Sequence, residues 1–289
     1  MTFTIEPRGP FSLEEANNFG FGQRSATTWD GIMRLAFCVD GYRDQVGVAV
    51  RQDDHGVHCS VEGSADLVTV RRQVARVLSL DHDGEAFVEV GERDPVMAML
   101  QAAAPGLRPP LFYSPYEAAA WCIISARRPA HQMAEVRRQL NEAHGSTFRV
   151  AGEMVAALPT PERLLDLDSF PGLSTDKIDR LHGLATAALA GKLDVARIQG
   201  LAPGEAMADL QALKGIGPFY SSLIVVRSAG LADVAVFEPK AMALAARLWD
   251  LPGVPTEDEF SAMAERWRPF RTWAVVLIRA AATRVLPAG

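Results

Sequence analysis

The sequence has few cysteines, few lysines and no long hydrophobic segment, and each shortage excludes a class of protein. Its three cysteines (Cys38, Cys59 and Cys122) are odd in number and lie far apart, so they fit neither a disulfide framework nor a zinc ribbon. No run of 18 apolar residues is present, which argues against a membrane-spanning helix. The first residues lack a basic stretch followed by an apolar one, so no secretory signal is expected. We therefore expect a cytoplasmic protein with no membrane partner.

Lysine is scarce, but positive charge is not. Only four of the 29 cationic residues are lysines, and the rest are arginines. Arginine binds phosphate through a planar, bidentate guanidinium group, although genome composition explains the same bias. The net charge of −6 argues mildly against a nucleic-acid-binding protein, because such domains are often basic. Net charge does not exclude a local anion site.

Helix and strand signals divide the chain into two parts. Before residue 94, Ser12 and Glu15 have the spacing of a capping box and predict a helix start. Apolar, β-prone or alternating patterns predict strands at 32–38, 45–51 and 58–62, with a helix at 65–78. From residue 94 onward the signals are helical almost throughout. The helices expected there are 115–125, 130–144, 161–167, 174–191, 203–213, 218–229, 239–249, 256–266 and 272–285. The predicted fold is α+β, with an α/β domain over 1–93 and an all-α domain over 94–289.

The most informative segment is a glycine turn at 213–219, between two predicted helices. Gly215 and Gly217 flank Ile216, and glycine permits a positive φ and a close backbone approach. Amide groups at the start of the second helix would point outward, and with the helix dipole they favour an anion such as a DNA phosphate. A tight turn between helices with a glycine C-cap explains these residues equally well.

Four further segments, in order along the chain, support the phosphate-binding interpretation. They are residues 78–81 with Phe87, residues 113–125, residues 170–173 with Lys177 and 184–193, and residues 264–274. With the glycine turn, they make nearly the whole chain resemble the helix-hairpin-helix DNA glycosylases, in the alkylbase (3-methyladenine glycosylase II) branch. The resemblance implies that the N-terminal domain is TATA-box-binding-protein-like and that the helical domain carries the hairpin at 213–219.

Members of that family flip a damaged base out of the duplex and cleave its N-glycosidic bond. The resemblance therefore implies a base-excision repair protein that acts on alkylated bases. Its expected partner is damaged duplex DNA, and a monomer is expected. A non-catalytic paralogue that binds damaged DNA is the alternative.

The resemblance also assigns binding roles around the hairpin. Arg127 takes the position of the apolar wedge that enters the duplex, with Arg128 beside it, although two solvated arginines before a helix are an equal alternative. The hairpin residues that would contact DNA are Leu213, Gly215, Ile216 and Gly217. No cofactor is required by the resemblance, but hairpins of this family often bind a monovalent cation, Na or K. Its carbonyl ligands here would be those of Gln211, Leu213 and Ile216.

The resemblance breaks at the catalytic carboxylate. The family places an aspartate at the start of the helix that follows the hairpin helix, where its charge stabilises the cationic sugar. In this sequence that position reads Ala241 or Pro239, depending on the alignment. Glu238 is the nearest carboxylate and becomes the candidate catalyst, although a simple helix cap also accounts for it.

The base pocket departs from the family as well. Phe219 matches an aromatic position, whereas Leu223 and Arg279 stand where further aromatics are expected, and Ala241 completes the set. Arg279 in a pocket suits an acidic or phosphate-bearing ligand better than a cationic methylated purine, unless it faces solvent. Phe219 also takes the place of the lysine of lyase-active members, so no Schiff-base chemistry is implied.

Overall fold

The computed structural model describes residues 1–19 and 29–287, and it begins with a four-stranded antiparallel sheet. The elements of this part are β1 (Thr2–Ile5), α1 (Leu13–Phe19), β2 (Met33–Cys38), β3 (Gln45–Asp53), β4 (Gly56–Glu62) and α2 (Leu67–Val77). The strands lie in the order β1-β4-β3-β2. The predicted strands and helices are confirmed, and the Ser12 hydroxyl accepts the Glu15 N–H at 3.1 Å, as the capping pattern predicts. β1 was not predicted because its four residues are too few for a periodic pattern.

The rest of the described chain is helical apart from one pair of strands. Its helices are α3 (Gly84–Arg93), α4 (Pro95–Ala103), α5 (Pro115–Ser125), α6 (Ala130–His144), α7 (Pro161–Leu165), α8 (Thr175–Leu189), α9 (Val195–Gln199), α10 (Pro203–Leu210), α11 (Pro218–Arg227), α12 (Pro239–Leu248), α13 (Glu257–Ala264) and α14 (Arg271–Val285). Each helix expected after residue 114 is present, to within a few residues at its ends, and α9 is an addition. Within the described ranges, no helix is long and apolar enough to cross a bilayer.

The expectation of an all-helical second part is wrong at one place, where a strand pair is inserted. β5 (Thr147–Val150) and β6 (Glu153–Ala156) form an antiparallel hairpin whose turn residues, Ala151 and Gly152, both have positive φ. The hairpin packs on the N-terminal sheet, because a Cβ added at Gly47 of β3 would lie 2.6 Å from Phe148. Glycine at position 47 therefore makes room for a contact between distant segments. The domain division at residue 93 stays a prediction.

The helices bury two apolar clusters that meet just before α12. One contains residues of α5, α8, α10 and α11, and the other contains residues of α3, α4, α12 and α14. Val236, in the segment between α11 and α12, packs against both clusters. The start of α12 is therefore held between the hairpin helices and the last helix of the chain.

Asp94 connects several elements of the second cluster. Its carboxylate is buried and accepts hydrogen bonds from the indole N–H of Trp267 at 2.9 Å and of Trp249 at 3.3 Å. It also caps α4 by accepting the Val96 N–H at 3.1 Å. Hydrogen bonds to a buried charge are stronger than those between neutral groups, so Asp94 positions both tryptophans and the start of α4.

Replacement of Asp94 by alanine should lower the free energy of unfolding by about 3 kcal/mol, because it leaves two partly or fully buried indole N–H groups without an acceptor. Asp66 is a matched control, since it caps α2 through the Thr69 N–H at 2.9 Å but is not buried. Asp66→Ala should cost about 1 kcal/mol, the usual loss for an N-cap. Urea unfolding of both variants measures the difference, and equal losses would contradict the assigned role of Asp94.

Candidate active site and nucleic-acid interface

The glycine turn joins α10 to α11 as the sequence predicts. Gly215 has φ +98°, a conformation that side chains disfavour, and Gly217 is the extended residue that precedes Pro218, the first residue of α11. Ile216 points inward and is only 4% exposed, so it anchors the turn in the first apolar cluster. The turn is therefore held rigidly while its glycines stay at the surface.

Several backbone donors of this turn are unpaired. Among the described residues, the N–H groups of Gly215, Gly217, Phe219 and Tyr220 have no acceptor, whereas that of Ser221 donates to the Gly217 carbonyl at 2.9 Å. A Cβ added at Gly217 would meet nothing within 4 Å, so this side of the turn is open. Unpaired amides at the N-terminus of a ten-residue helix form a site for an anion.

Cationic side chains stand beside these amides. Arg180 of α8 lies against Gly215, where an added Cβ would be 3.0 Å from its Cδ. Asp176 holds both Arg180, at 2.8 Å, and Lys214 of the turn, at 3.4 Å. Arg180 and Lys214 were not among the residues predicted to contact DNA. Their signal was the Asp176–Arg180 spacing of four residues at the start of a helix.

The turn after α5 carries the two arginines predicted to contact DNA. Arg127 has φ +59°, and the Arg128 N–H donates to the Ser125 carbonyl at 3.2 Å. Lys177 of α8 fixes the end of α5 before this turn, because its ammonium group donates a hydrogen bond to the Ile124 carbonyl at 2.5 Å. Burial, and then the nearby guanidinium groups of Arg128 and Arg180, lower the pKa of Lys177. Both arginine side chains are exposed. Arg128 and Arg180 both lie close enough to Lys177 to affect its pKa.

Glu238 lies at the start of α12 and is its N-cap. Its Oε2 accepts the Ala241 N–H at 2.7 Å, and Pro239 occupies the first helical position, which needs no amide donor. The same Oε2 is 3.2 Å from Nε of Arg279 on α14. In the part of the chain that the structure describes, Oε1 has no hydrogen-bond partner. One oxygen of Glu238, Oε2, therefore caps α12, and the other, Oε1, is available for chemistry.

Two other residues near the start of α12 do not supply a free carboxylate. Ala241 is fully buried in the second apolar cluster, so only its backbone N–H reaches Glu238. Asp233 is held by Arg268 at 2.9 Å and by Arg271 at 2.7 Å. Of these residues, Glu238 alone has both a carboxylate and an unengaged oxygen.

The predicted base-pocket residues lie on three helices. Phe219 is 66% exposed beside the hairpin, with its ring centroid 5.6 Å from that of Tyr220. Leu223, one turn further along α11, is half-buried against the first cluster. Arg279 of α14 is held beside Glu238, and the pairing of these two residues was not predicted. The pocket assignment stays a prediction.

The predicted cation ligands lie together in the turn. The Leu213 carbonyl already accepts the Ile216 N–H at 3.0 Å, which leaves one lone pair. Within the described ranges, no N–H donates to the carbonyls of Gln211 or Ile216. Acceptor capacity therefore remains on these carbonyls, and the monovalent-cation site stays a prediction.

Comparison with known proteins shows the class of fold and a set of similar sequences. No family model matches the sequence. A structure of a 3-methyladenine DNA-glycosylase from Archaeoglobus fulgidus has a TM-score of 0.77 at 19% identity and covers 100% of both chains. The chain therefore has the fold of that glycosylase structure.

Sequence relatives narrow the assignment. The chain is 29% identical to the "Probable bifunctional transcriptional activator/DNA repair enzyme AlkA" of Mycobacterium tuberculosis over 95% of its own length and 55% of the relative's. It is also 29% identical to "DNA-3-methyladenine glycosylase 2" of Escherichia coli, over 87% of this chain and 86% of that protein. The chain is therefore similar in sequence to AlkA-like DNA glycosylases, and it spans about half the length of the mycobacterial relative.

Proposed function

We propose that this protein is a monofunctional DNA N-glycosylase that removes alkylated bases from damaged duplex DNA. The observation that carries the proposal is the set of unpaired amides at Gly215, Gly217, Phe219 and Tyr220, open to an approaching phosphate. The names of the relatives, a DNA repair enzyme and a DNA-3-methyladenine glycosylase, support the same function. A cation bound by the turn carbonyls would add positive charge beside the same phosphate.

DNA binding at the turn would bring a nucleotide to the start of α12. The exposed arginines Arg127 and Arg128 and the pair Arg180 and Lys214 provide cations for neighbouring phosphates. In this proposal Arg127 fills the gap that a flipped base leaves. Local cations account for binding despite the overall negative charge of the protein.

Glu238 supplies the chemistry in this proposal. When the N-glycosidic bond breaks, the sugar becomes a cation, and the unengaged Oε1 stabilises it and accepts a proton from the attacking water. At ~4 Å and an effective dielectric of about 20, such a charge pair is worth roughly 4 kcal/mol. That corresponds to about a thousandfold in rate. A glutamate therefore suffices for the role of the absent aspartate.

A base-release assay tests the proposed function. Duplexes that contain 3-methyladenine, 7-methylguanine or 1,N6-ethenoadenine are incubated with the full chain, and free base is separated from DNA. We expect release of at least one base, faster than from the same duplex without protein. Damage-dependent binding without release of any base would overturn the catalytic proposal and favour the non-catalytic alternative.

Substitution of Gly217 by aspartate should weaken DNA binding tenfold or more. An aspartate fits this N-cap position and its open space, so the fold is kept, but its charge repels a phosphate. Gly204→Asp is the matched control, since Gly204 lies in the first turn of α10 and is equally open. Fluorescence anisotropy against salt measures both, and Gly217→Asp should lower the slope of log K by about 1. Equal effects of the two substitutions would contradict phosphate binding at the turn.

A further inference from the structure

The carboxylate of Glu238 is paired with the guanidinium group of Arg279. Nε of Arg279 lies 3.2 Å from Oε2, and both side chains are 31% exposed, so the pair is half-buried. Oε2 also accepts the Ala241 N–H at 2.7 Å. A carboxylate that is already compensated by a guanidinium attracts a cationic base less than a free one does. The usual electrostatic preference for a cationic methylated purine is thereby reduced.

Arg279 also has a donor that nothing satisfies. Its Nη1 is buried and has no hydrogen-bond partner among the described residues. The neighbouring arginines Arg271 and Arg284 of α14 have no such buried, unpaired nitrogen. Arg271 is paired with Asp233 at 2.7 Å and Arg284 with Glu15 at 2.7 Å. A buried N–H of a charged group without an acceptor is costly, and a ligand that supplies an acceptor removes that cost. Arg279 is therefore prepared for a ligand atom that accepts a hydrogen bond.

The chemistry of base release gives such an acceptor a role. When a cationic base leaves, the electron pair of the C1′–N bond neutralises it, and no donor is needed. When a neutral base leaves, the same electron pair makes it an anion, which a positioned N–H stabilises at a ring nitrogen or carbonyl oxygen. The water oxygen then bonds to C1′, its proton passes to Oε1 of Glu238, and the base anion takes a proton from solvent. A fixed guanidinium assists the second kind of departure and repels the first kind of base.

We infer that Arg279 is a specificity-determining residue that shifts this site towards neutral damaged bases with a hydrogen-bond acceptor, and away from cationic N-methylated purines. The inference rests on the proposed function, because it assumes that the base is bound and released beside Glu238. Neutral alkylated bases such as 1,N6-ethenoadenine have the required chemistry. Where the resemblance leads us to expect an aromatic side chain that stacks on the base, Arg279 instead offers an N–H that donates a hydrogen bond to it.

Single-turnover release of two bases from one duplex sequence tests the inference. The duplexes contain 1,N6-ethenoadenine, which is neutral, or 7-methylguanine, which is cationic. We expect Arg279→Gln to slow release of 1,N6-ethenoadenine by about a hundredfold, the usual effect of losing one such donor. Release of 7-methylguanine should stay the same or become faster, since Glu238 loses its compensating charge. The ratio of the two rates is the readout, because a folding defect slows both.

Two controls separate the possible failures. Arg284→Gln removes a paired arginine of the same helix, five residues from Arg279, and should leave the ratio unchanged. Arg279→Lys keeps the positive charge, so its ratio of the two release rates should lie between those of the wild type and Arg279→Gln. It replaces Arg279→Gln in the test if that variant folds poorly. Release of both bases with an unchanged ratio in both Arg279 variants would overturn the inference and leave the proposed function intact. Release of neither base by the wild-type protein would overturn the inference, and if 3-methyladenine is not released either, the proposed function itself is overturned.

Discussion

Glu238→Gln should slow base release a hundredfold to a thousandfold without unfolding the protein. Glutamine retains a carbonyl oxygen that accepts the Ala241 N–H, so the cap of α12 persists. The substitution removes the negative charge that stabilises the cationic sugar and the group that accepts the proton of water. The expected loss follows from roughly 4 kcal/mol for a charge pair at ~4 Å in a medium of effective dielectric about 20. Single-turnover release from an alkylated duplex measures it.

The control for this substitution is Glu259→Gln on α13. Glu259 is likewise a capping glutamate, which accepts the Thr256 N–H at 2.7 Å, but its helix packs in the second apolar cluster and not in the cluster that contains Ile216 of the hairpin. It should leave release unchanged, and both variants should bind damaged duplex as the wild type does. If Glu238→Gln releases base at the wild-type rate, Glu238 is only a helix cap, and the catalytic group has to be sought elsewhere.

Glu117→Gln should stabilise the protein at alkaline pH, by up to about 5 kcal/mol near pH 8. Glu117 of α5 is buried, and one carboxylate oxygen accepts the Cys38 N–H at 3.0 Å. Burial raises the pKa of Glu117 from 4.5 to about 8, and this outweighs the opposing effects of that N–H and of Arg137. A shift of this size corresponds to about 1.4 kcal/mol for each pH unit. Glutamine keeps the hydrogen bond and has no charge to bury.

The direction of the pH dependence follows from proton binding. Between pH 4.5 and about 8 the folded protein keeps the Glu117 proton and the unfolded chain does not. The wild-type protein therefore loses stability as pH rises through this window. The stabilisation that comes from the protonated Glu117 is fully present only below pH 4.5. The variant lacks this dependence, so its advantage over the wild type should grow from pH 5 to pH 8.

Glu135→Gln is the control with the opposite sign. Hydrogen bonds from Arg138 lower the pKa of Glu135 to about 2. Its contribution to stability is present above pH 4.5 and is lost only as pH falls towards 2. The difference between this variant and the wild type should therefore stay constant from pH 5 to pH 8. Urea unfolding at several pH values measures both variants, and a constant difference for Glu117→Gln would mean that this carboxyl is ionised in the folded protein.

Local sequence signals predicted helix starts well. Ser114 accepts the Glu117 N–H and precedes Pro115 at the start of α5, and Thr256 forms a capping box with Glu259 at the start of α13. Such signals work because a cap and its helix lie within one turn of chain. The glycine turn at 213–219 was predictable for the same reason, since φ and the helix ends depend on neighbouring residues.

The β5–β6 hairpin shows where local signals were underused. Thr147–Val150 and Glu153–Ala156 have β-prone residues around a two-residue turn, but they stand between two helical stretches. Their place against the sheet depends on a gap at Gly47, about a hundred residues earlier, that receives Phe148. A pattern of four residues does not indicate such a partner.

The sequence by itself determined the order of helices, the glycine hairpin and the lack of any aspartate in residues 234–247, because these depend on residue identity and short-range geometry. Only the tertiary structure decided that Arg279 pairs with Glu238, that Lys177 holds the end of α5 and that Glu117 is buried. Those contacts join residues that lie far apart along the chain. Packing of whole helices sets such distances, and it also determines the charge that a base would meet in the site.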